Sequence, residues 1–188
     1  MTALINASTS SGVVVTSDTS GSLAFQSNGT TIMTVASTGV STQVGSPAFS
    51  AYAGSAQSIT NSTYTKIQLN TETFDTNNNF DSSTNYRFTP TVAGYYQINA
   101  NVYLADAGVA GYIISALYKN GSAYKYSIGY YNASYGNGGA PISDVIYLNG
   151  STDYIEYYVR QTNLTSSTFA LSATSQGTYM SGAMIRSA

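Results

Sequence analysis

The sequence contains no cysteine, no histidine and no tryptophan, and only 7% of its 188 residues are charged. Without cysteine there is no disulfide framework, so stability has to come from packing or from association with other chains. Without histidine or cysteine, a Ser-His-Asp triad, a Cys-His pair, an imidazole general base and an ordinary zinc site are all excluded. The eight acidic residues are dispersed, and no two of them show a pattern that demands joint action on a glycosidic bond. An enzyme is therefore not expected, and no cofactor is implied. The six basic residues, Lys66, Arg87, Lys119, Lys125, Arg160 and Arg186, are scattered, and the formal net charge is -2. Neither nucleic acid nor an anionic membrane is an expected partner. No run of about 18 apolar residues occurs, so no spanning helix is expected. The opening MTALINASTSSGVVVTSDTSG lacks a basic start and an apolar stretch of about 7 to 15 residues, so no export signal is expected there.

What is present is a polar, uncharged surface alphabet of Ser, Thr, Asn, Gln and Gly beside a hydrophobic fraction of 43%, enough for a core. Composition divides the chain. Residues 1 to 45 have no Tyr, no Pro and one charge, Asp18, whereas all 18 tyrosines follow. In the first region, SLAFQSNGTTIMTV reads as a hairpin turning at Asn28-Gly29, with Leu23, Phe25, Ile32, Met33 and Val35 as its apolar side chains. A lone two-stranded ribbon cannot bury such a face, so these five are expected to dock on the rest of an assembly. Residues 1 to 20 read equally as a Ser/Thr linker.

From Ser46 to Ala188, short aromatic and apolar alternations are broken by turn signals about every ten residues, with no sustained 3.6-residue period. The rhythm predicts an all-β antiparallel sandwich. Ten strands are expected: 48–52, 64–69, 86–89, 95–104, 112–119, 123–128, 142–148, 154–161, 168–173 and 181–185. In the fourth, Tyr96, Ile98, Ala100 and Val102 make an apolar side and Tyr95, Gln97, Asn99 and Asn101 an amphipathic one. In the eighth, Ile155, Tyr157 and Val159 oppose Tyr154, Glu156, Tyr158 and Arg160.

Six motifs in order give the region 46–186 a resemblance to the globular heads of complement C1q and the tumour necrosis factor (TNF) superfamily. SPAFSAY is similar to the family's first strand, and FDSSTNYRF to its F-D-x-x-T-G-x-F turn, with Asn85 in place of Gly and one residue inserted. AGYYQINANVYL resembles its P-G-x-Y-x-F-x-x-x-V strand, with Ile98 replacing Phe; SALYKNG, IYLNGSTDYIEYYV and YMSGAMI complete the pattern, the Gly-Asp pair being split as Gly150 and Asp153. The resemblance implies a ten-strand jelly roll that forms a homotrimer through one sheet. A tyrosine-rich outer side is suited to such an interface, and Tyr95, Gln97, Asn99, Tyr154 and Tyr158 are the residues nominated for it. Some members bind calcium near the trimer axis, but no carboxylate cluster here matches, and no metal site is expected.

Two further stretches invite ligands. Asp75-Thr-Asn77-Asn-Asn79-Phe-Asp81 imitates half a calcium loop, yet Phe80 replaces the turn Gly and Tyr86 the bidentate Glu, so it reads as an Asx-rich turn. GYYNASYGNGGAP reads as a long loop whose Tyr130, Tyr131 and Tyr135 could stack on a sugar or a protein, or pack on the head itself. The whole looks like a bacteriophage virion protein, a short fibre, spike or head decoration on the virion surface. Residues 1–45 would anchor it to other virion proteins of capsid or tail, and the head 46–188 would attach to a host-surface glycan or protein. Two alternatives stay open: a capsid cement protein whose head grips the lattice, and a secreted bacterial adhesin or lectin-like module.

Overall fold

The computed structural model describes residues 21–43, 45–104, 109–132, 138–163, 165 and 168–188, and every regular element among them is a β-strand. The chain forms two compact units, Met1–Gly45 and Ser46–Ala188. In the first, β1 (Leu23–Ser27), β2 (Thr30–Val35) and β3 (Ser41–Gln43) make an antiparallel sheet in that order. Asn28 and Gly29 turn the hairpin with φ of 48° and 77°, left-handed values that suit this residue pair. Leu23 stands opposite Val35 and Phe25 opposite Met33, while a bulge leaves Ile32 without a partner across the ladder. β3, which the sequence pattern did not indicate, is Ser-Thr-Gln and carries no apolar period. No described side chain of this unit is fully buried: Leu23, Phe25 and Ile32 are exposed, Met33 and Val35 half-buried.

The second unit runs through β4 (Ala48–Tyr52), β5 (Ser58–Ile59), β6 (Thr65–Lys66), β7 (Thr71–Asp75), β8 (Phe80–Asp81), β9 (Arg87–Phe88), β10 (Gly94–Asn101) and β11 (Tyr103–Leu104). It continues through β12 (Gly111–Lys119), β13 (Ser122–Tyr131), β14 (Gly138–Gly139), β15 (Ile142–Leu148), β16 (Ile155–Asn163), β17 (Phe169–Ala170) and β18 (Tyr179–Ser187). One sheet has the order β15-β10-β18-β4-β7, the other β13-β12-β16-β9-β8 with β6 also pairing on β16. All pairings within these sheets are antiparallel. The long strands match the expected ones except β7, whose TETFD shows no buried alternation. The expected strand 64–69 shrinks to β6, although Ile67 and Leu69 after it are fully buried.

The inward residues of the two sheets form one core. Phe49 stacks on Phe80 and Phe88, with ring centroids 5.0 and 4.3 Å apart, and Tyr96 meets Phe88 edge-on at 5.4 Å. Each such ring contributes about 1.5–3 kcal/mol of burial. The two fully buried phenols are both satisfied, as burial of a polar group requires. Tyr96 Oη donates to the carbonyl of Val92 at 2.6 Å, and Tyr157 Oη shares a hydrogen bond with Ser115 Oγ. The Asn120-Gly121 turn between β12 and β13 has φ of 53° and 76°, which locks the longest hairpin of the head in register.

Candidate functional site

The sandwich presents two outer faces, and each is fixed by the strand alternation that fills the core. On the first sheet, the residues that point away from the core include Tyr95, Gln97 and Asn99 of β10. Tyr147, Val145 and Ser143 of β15 lie opposite them in register. Ala183 and Ser181 of β18 extend these rows toward Ala48 and Ser50 of β4, and Phe74 of β7 pairs with Ser50. Tyr95 and Tyr147 are ring neighbours at 5.5 Å. Gln97 Nε2 donates to Ser143 Oγ at 2.7 Å, and Ser143 Oγ donates to Asn99 Oδ1 at 2.8 Å. Ile185 is 58% exposed and Phe74 49%. A hollow of about 490 Å³ opens between Tyr95, Val145, Ile185 and Arg186 at one end of the face, and one of about 200 Å³ between Phe74, Gln97 and Asn99.

This face is nearly without charge. Its five strands carry only Glu72, Asp75, Asp144 and Arg186. Asp75 is turned onto its own loop, Asp144 pairs with Lys125 at 3.4 Å, and Glu72 accepts from Ser82. The centre is left to amides, hydroxyls and apolar side chains.

Tyr154 and Tyr158 are elsewhere. They flank and occupy β16, in the other sheet, so the five residues nominated for one interface are divided between opposite faces of the sandwich. The physical reason is that a period of two separates inside from outside but does not say to which sheet a strand belongs. On this second face Tyr158 lies beside Ala116 of β12, Arg160 beside Ile114, and Thr162 beside Tyr112. Tyr118 stacks on Tyr158 at 4.0 Å, Tyr64 leans on Tyr118 at 6.1 Å, and Tyr112 on Tyr130 at 6.3 Å. Guanidinium groups lie over rings: Arg87 over Tyr154 at 4.2 Å and Arg160 over Tyr64 at 5.9 Å. Burial first, then the neighbouring phenols Tyr64 and Tyr158, push the Tyr118 hydroxyl up. Burial likewise raises Tyr158, with Glu156 adding to it. Both phenols therefore stay neutral hydrogen-bond donors at ordinary pH.

Tyr130 is at the rim of the second face and 80% exposed, whereas Tyr131 is only 6% exposed and packs edge-on against Phe169. Tyr131 is thus a core residue and not a ligand contact. β13 extends through it, so the expected loop starts later, and alternation sends the second of two adjacent tyrosines inward. Tyr135 lies outside the described residues. The acidic stretch spends its carboxylates on its own backbone. Asp75 accepts from the amides of Asn77 and Phe80, and Asp81 from those of Ser83, Thr84 and Asn85. The Thr84 amide foremost, with the Asn85 side chain, holds Asp81 well below the usual carboxylate range. Among the described residues no three metal-ligating side chains cluster.

The contributions of Val145, Tyr147, Ile185 and Phe74 to the first face were missed from sequence. Val145 and Tyr147 could have been found, since they alternate with buried Ile146 and Leu148. Ile185 could not, because a bulge opposite Tyr95/Tyr96 breaks the period of β18.

The architecture is that of a TNF-like jelly roll. Among solved structures, murine APRIL at pH 5.0 superimposes with a TM-score of 0.58 over 74% of this chain and 99% of its own, at 12% identity. Eiger TNF from S. frugiperda gives 0.55 over 76% and 93%, at 8% identity. The bacteriophage PRD1 vertex protein P5 gives 0.55 over 96% of this chain and 91% of its own, at 15% identity. No protein-family model matches the sequence, and no curated protein matches it.

Proposed function

We propose that this chain is a non-enzymatic homotrimeric surface protein of a bacteriophage virion, a short fibre, spike or head decoration, that attaches through its jelly-roll head. The observation that carries the reading is the extent of the likeness to the vertex protein. Ser46–Ala188 makes up 143 of the 188 residues, so a match over 96% of the chain takes in much of the N-terminal unit as well. The TNF structures match about three quarters of it.

Trimerisation is supported by the first outer face. Around a three-fold axis each side chain near the centre meets its own copies, so a central charge would face like charges, whereas Gln, Asn and Ser can donate and accept and are self-complementary. The face with Tyr95, Gln97 and Asn99 meets that condition; the face with Tyr158 and its cations does not. Anchoring is supported by Leu23, Phe25, Ile32, Met33 and Val35, which the first unit leaves incompletely buried. The test is particle binding by the full-length protein and by a chain lacking residues 1–45, side by side. Loss of binding by the shortened chain is expected. Equal decoration would make the head the capsid-gripping part and replace attachment with cementing.

A further inference from the structure

Five of the six basic residues, all but Arg186, belong to the β6, β9, β12, β13 and β16 strands of the second sheet. Three are already neutralised: Lys66 pairs with the buried Glu156, Lys119 with Asp153 and Lys125 with Asp144. Arg87 and Arg160 have no ion-pair partner among the described residues and lie over tyrosine rings. One position is also short of hydrogen bonds. Arg160 Nε and Thr162 Oγ1, two residues apart on the same side of β16, are buried with no hydrogen-bond partner among the described residues. An unmet buried donor costs about 1–3 kcal/mol, and both atoms lie beneath the surface. The Arg160 guanidinium lies over Tyr64, Tyr112 stands opposite Thr162, and Tyr118, Tyr130 and Tyr158 extend these rings over the face.

We propose that this Arg160-centred tyrosine platform binds an acidic saccharide, a sugar ring that bears a carboxylate. The carboxylate takes the Arg160 guanidinium in a charge-assisted pair. The ring stacks on tyrosine, whose flat apolar body and polar hydroxyl match the two sides of a sugar. Charge complementarity selects the acid. Two unpaired guanidinium groups favour one or two carboxylates, and they are too few for a polyanion such as a nucleic acid. The site lies within one subunit, so it does not depend on trimerisation, but its use rests on the attachment reading.

The experiment is calorimetric titration of the full chain with trigalacturonate, 3′-sialyllactose, neutral maltotriose and a hexaglutamate peptide. Binding of an acidic sugar with little or none of maltotriose is expected, and the stronger of the two acids identifies a uronic or a sialic source. Arg160→Lys keeps the charge but loses the planar fork and is expected to weaken binding about tenfold, with Tyr64→Ala comparable. Circular dichroism and mass of both variants should be unchanged. Equal binding of maltotriose, no binding of either acid, stronger binding of the peptide, or an unaffected Arg160→Lys overturns the proposal. If the acid binds and yet fails to compete with particle adsorption to cells, the platform stands and the attachment reading falls.

Discussion

Tyr95 with Tyr147 on one side of the sandwich, and Tyr118 with Tyr158 on the other, are both aromatic pairs between neighbouring strands, at 5.5 and 4.0 Å. Around the first pair lie Gln97, Asn99, Ser143 and Ser181, with Arg186 opposite Tyr95 and the Lys119 ammonium 5.7 Å from the Tyr147 ring; around the second lie Lys66, Arg160, Glu156 and Arg87. The first pair thus stands at the charged end of a face whose middle, at Gln97 and Asn99, is uncharged, whereas the second pair lies among several charges. Under the proposed reading, placement of charge, and not of aromatic residues, separates the self-associating face from the ligand face.

The sharpest way to break that distinction is to exchange the settings. Gln97→Asp places three carboxylates about the proposed axis, and like-charge juxtaposition of several kcal/mol should weaken association by roughly a hundredfold or more. Tyr158→Asp on the other face should leave the sedimenting mass unchanged. If Tyr158→Asp dissociates the protein and Gln97→Asp does not, the two faces have been assigned the wrong way round.

Next in size is the contrast between the two units. Removing residues 1–45 should leave the head's β-content and its mass state intact, because every fully buried side chain described belongs to 46–188. Particle incorporation should fall steeply, since Leu23, Phe25, Met33 and Val35 would each bury for about 1.5–3 kcal/mol before ordering costs. Circular dichroism and particle pelleting read the two effects separately.

A smaller effect probes the core on which both faces rest. Tyr157→Phe leaves the buried Ser115 hydroxyl without its partner and should cost about 1–3 kcal/mol in urea unfolding, whereas the double variant with Ser115→Ala should recover much of that. Additive losses would show that the two hydroxyls do not act as a pair. Smallest is Asp81→Asn. The carboxyl of Asp81 is held below its ordinary value of 3.8, so its contribution is present above that pH and is lost as pH falls through and below it. The variant should melt lower at pH 7 and show a shallower fall in melting temperature from pH 5 to pH 3; an equally steep fall would contradict the assignment.

Much of this was legible in the residues. Tyr96, Ile98, Ala100 and Val102 are inward as their alternation requires, and the Asn28-Gly29 and Asn120-Gly121 turns have the backbone their side chains permit. The sheet to which each strand belongs was not legible, because pairing of β10 with β15 and β18 joins residues far apart in the chain, and local pattern carries no record of it. The same blindness put Tyr158 beside Tyr95. Short ladders such as β5 and β8 escaped for another reason: two residues are too few to show a period. Tyr131 was placed in a loop, whereas β13 runs through it and its ring packs edge-on against Phe169, the packing on the head that the sequence had left open.

The most direct test is the mass of the full-length protein in solution at micromolar concentration, by sedimentation equilibrium or native mass spectrometry. Three copies of 19.7 kDa are the expected result, with Gln97→Asp reducing it to one. A stable monomer of the unaltered chain would contradict the central claim that the uncharged face is an interface.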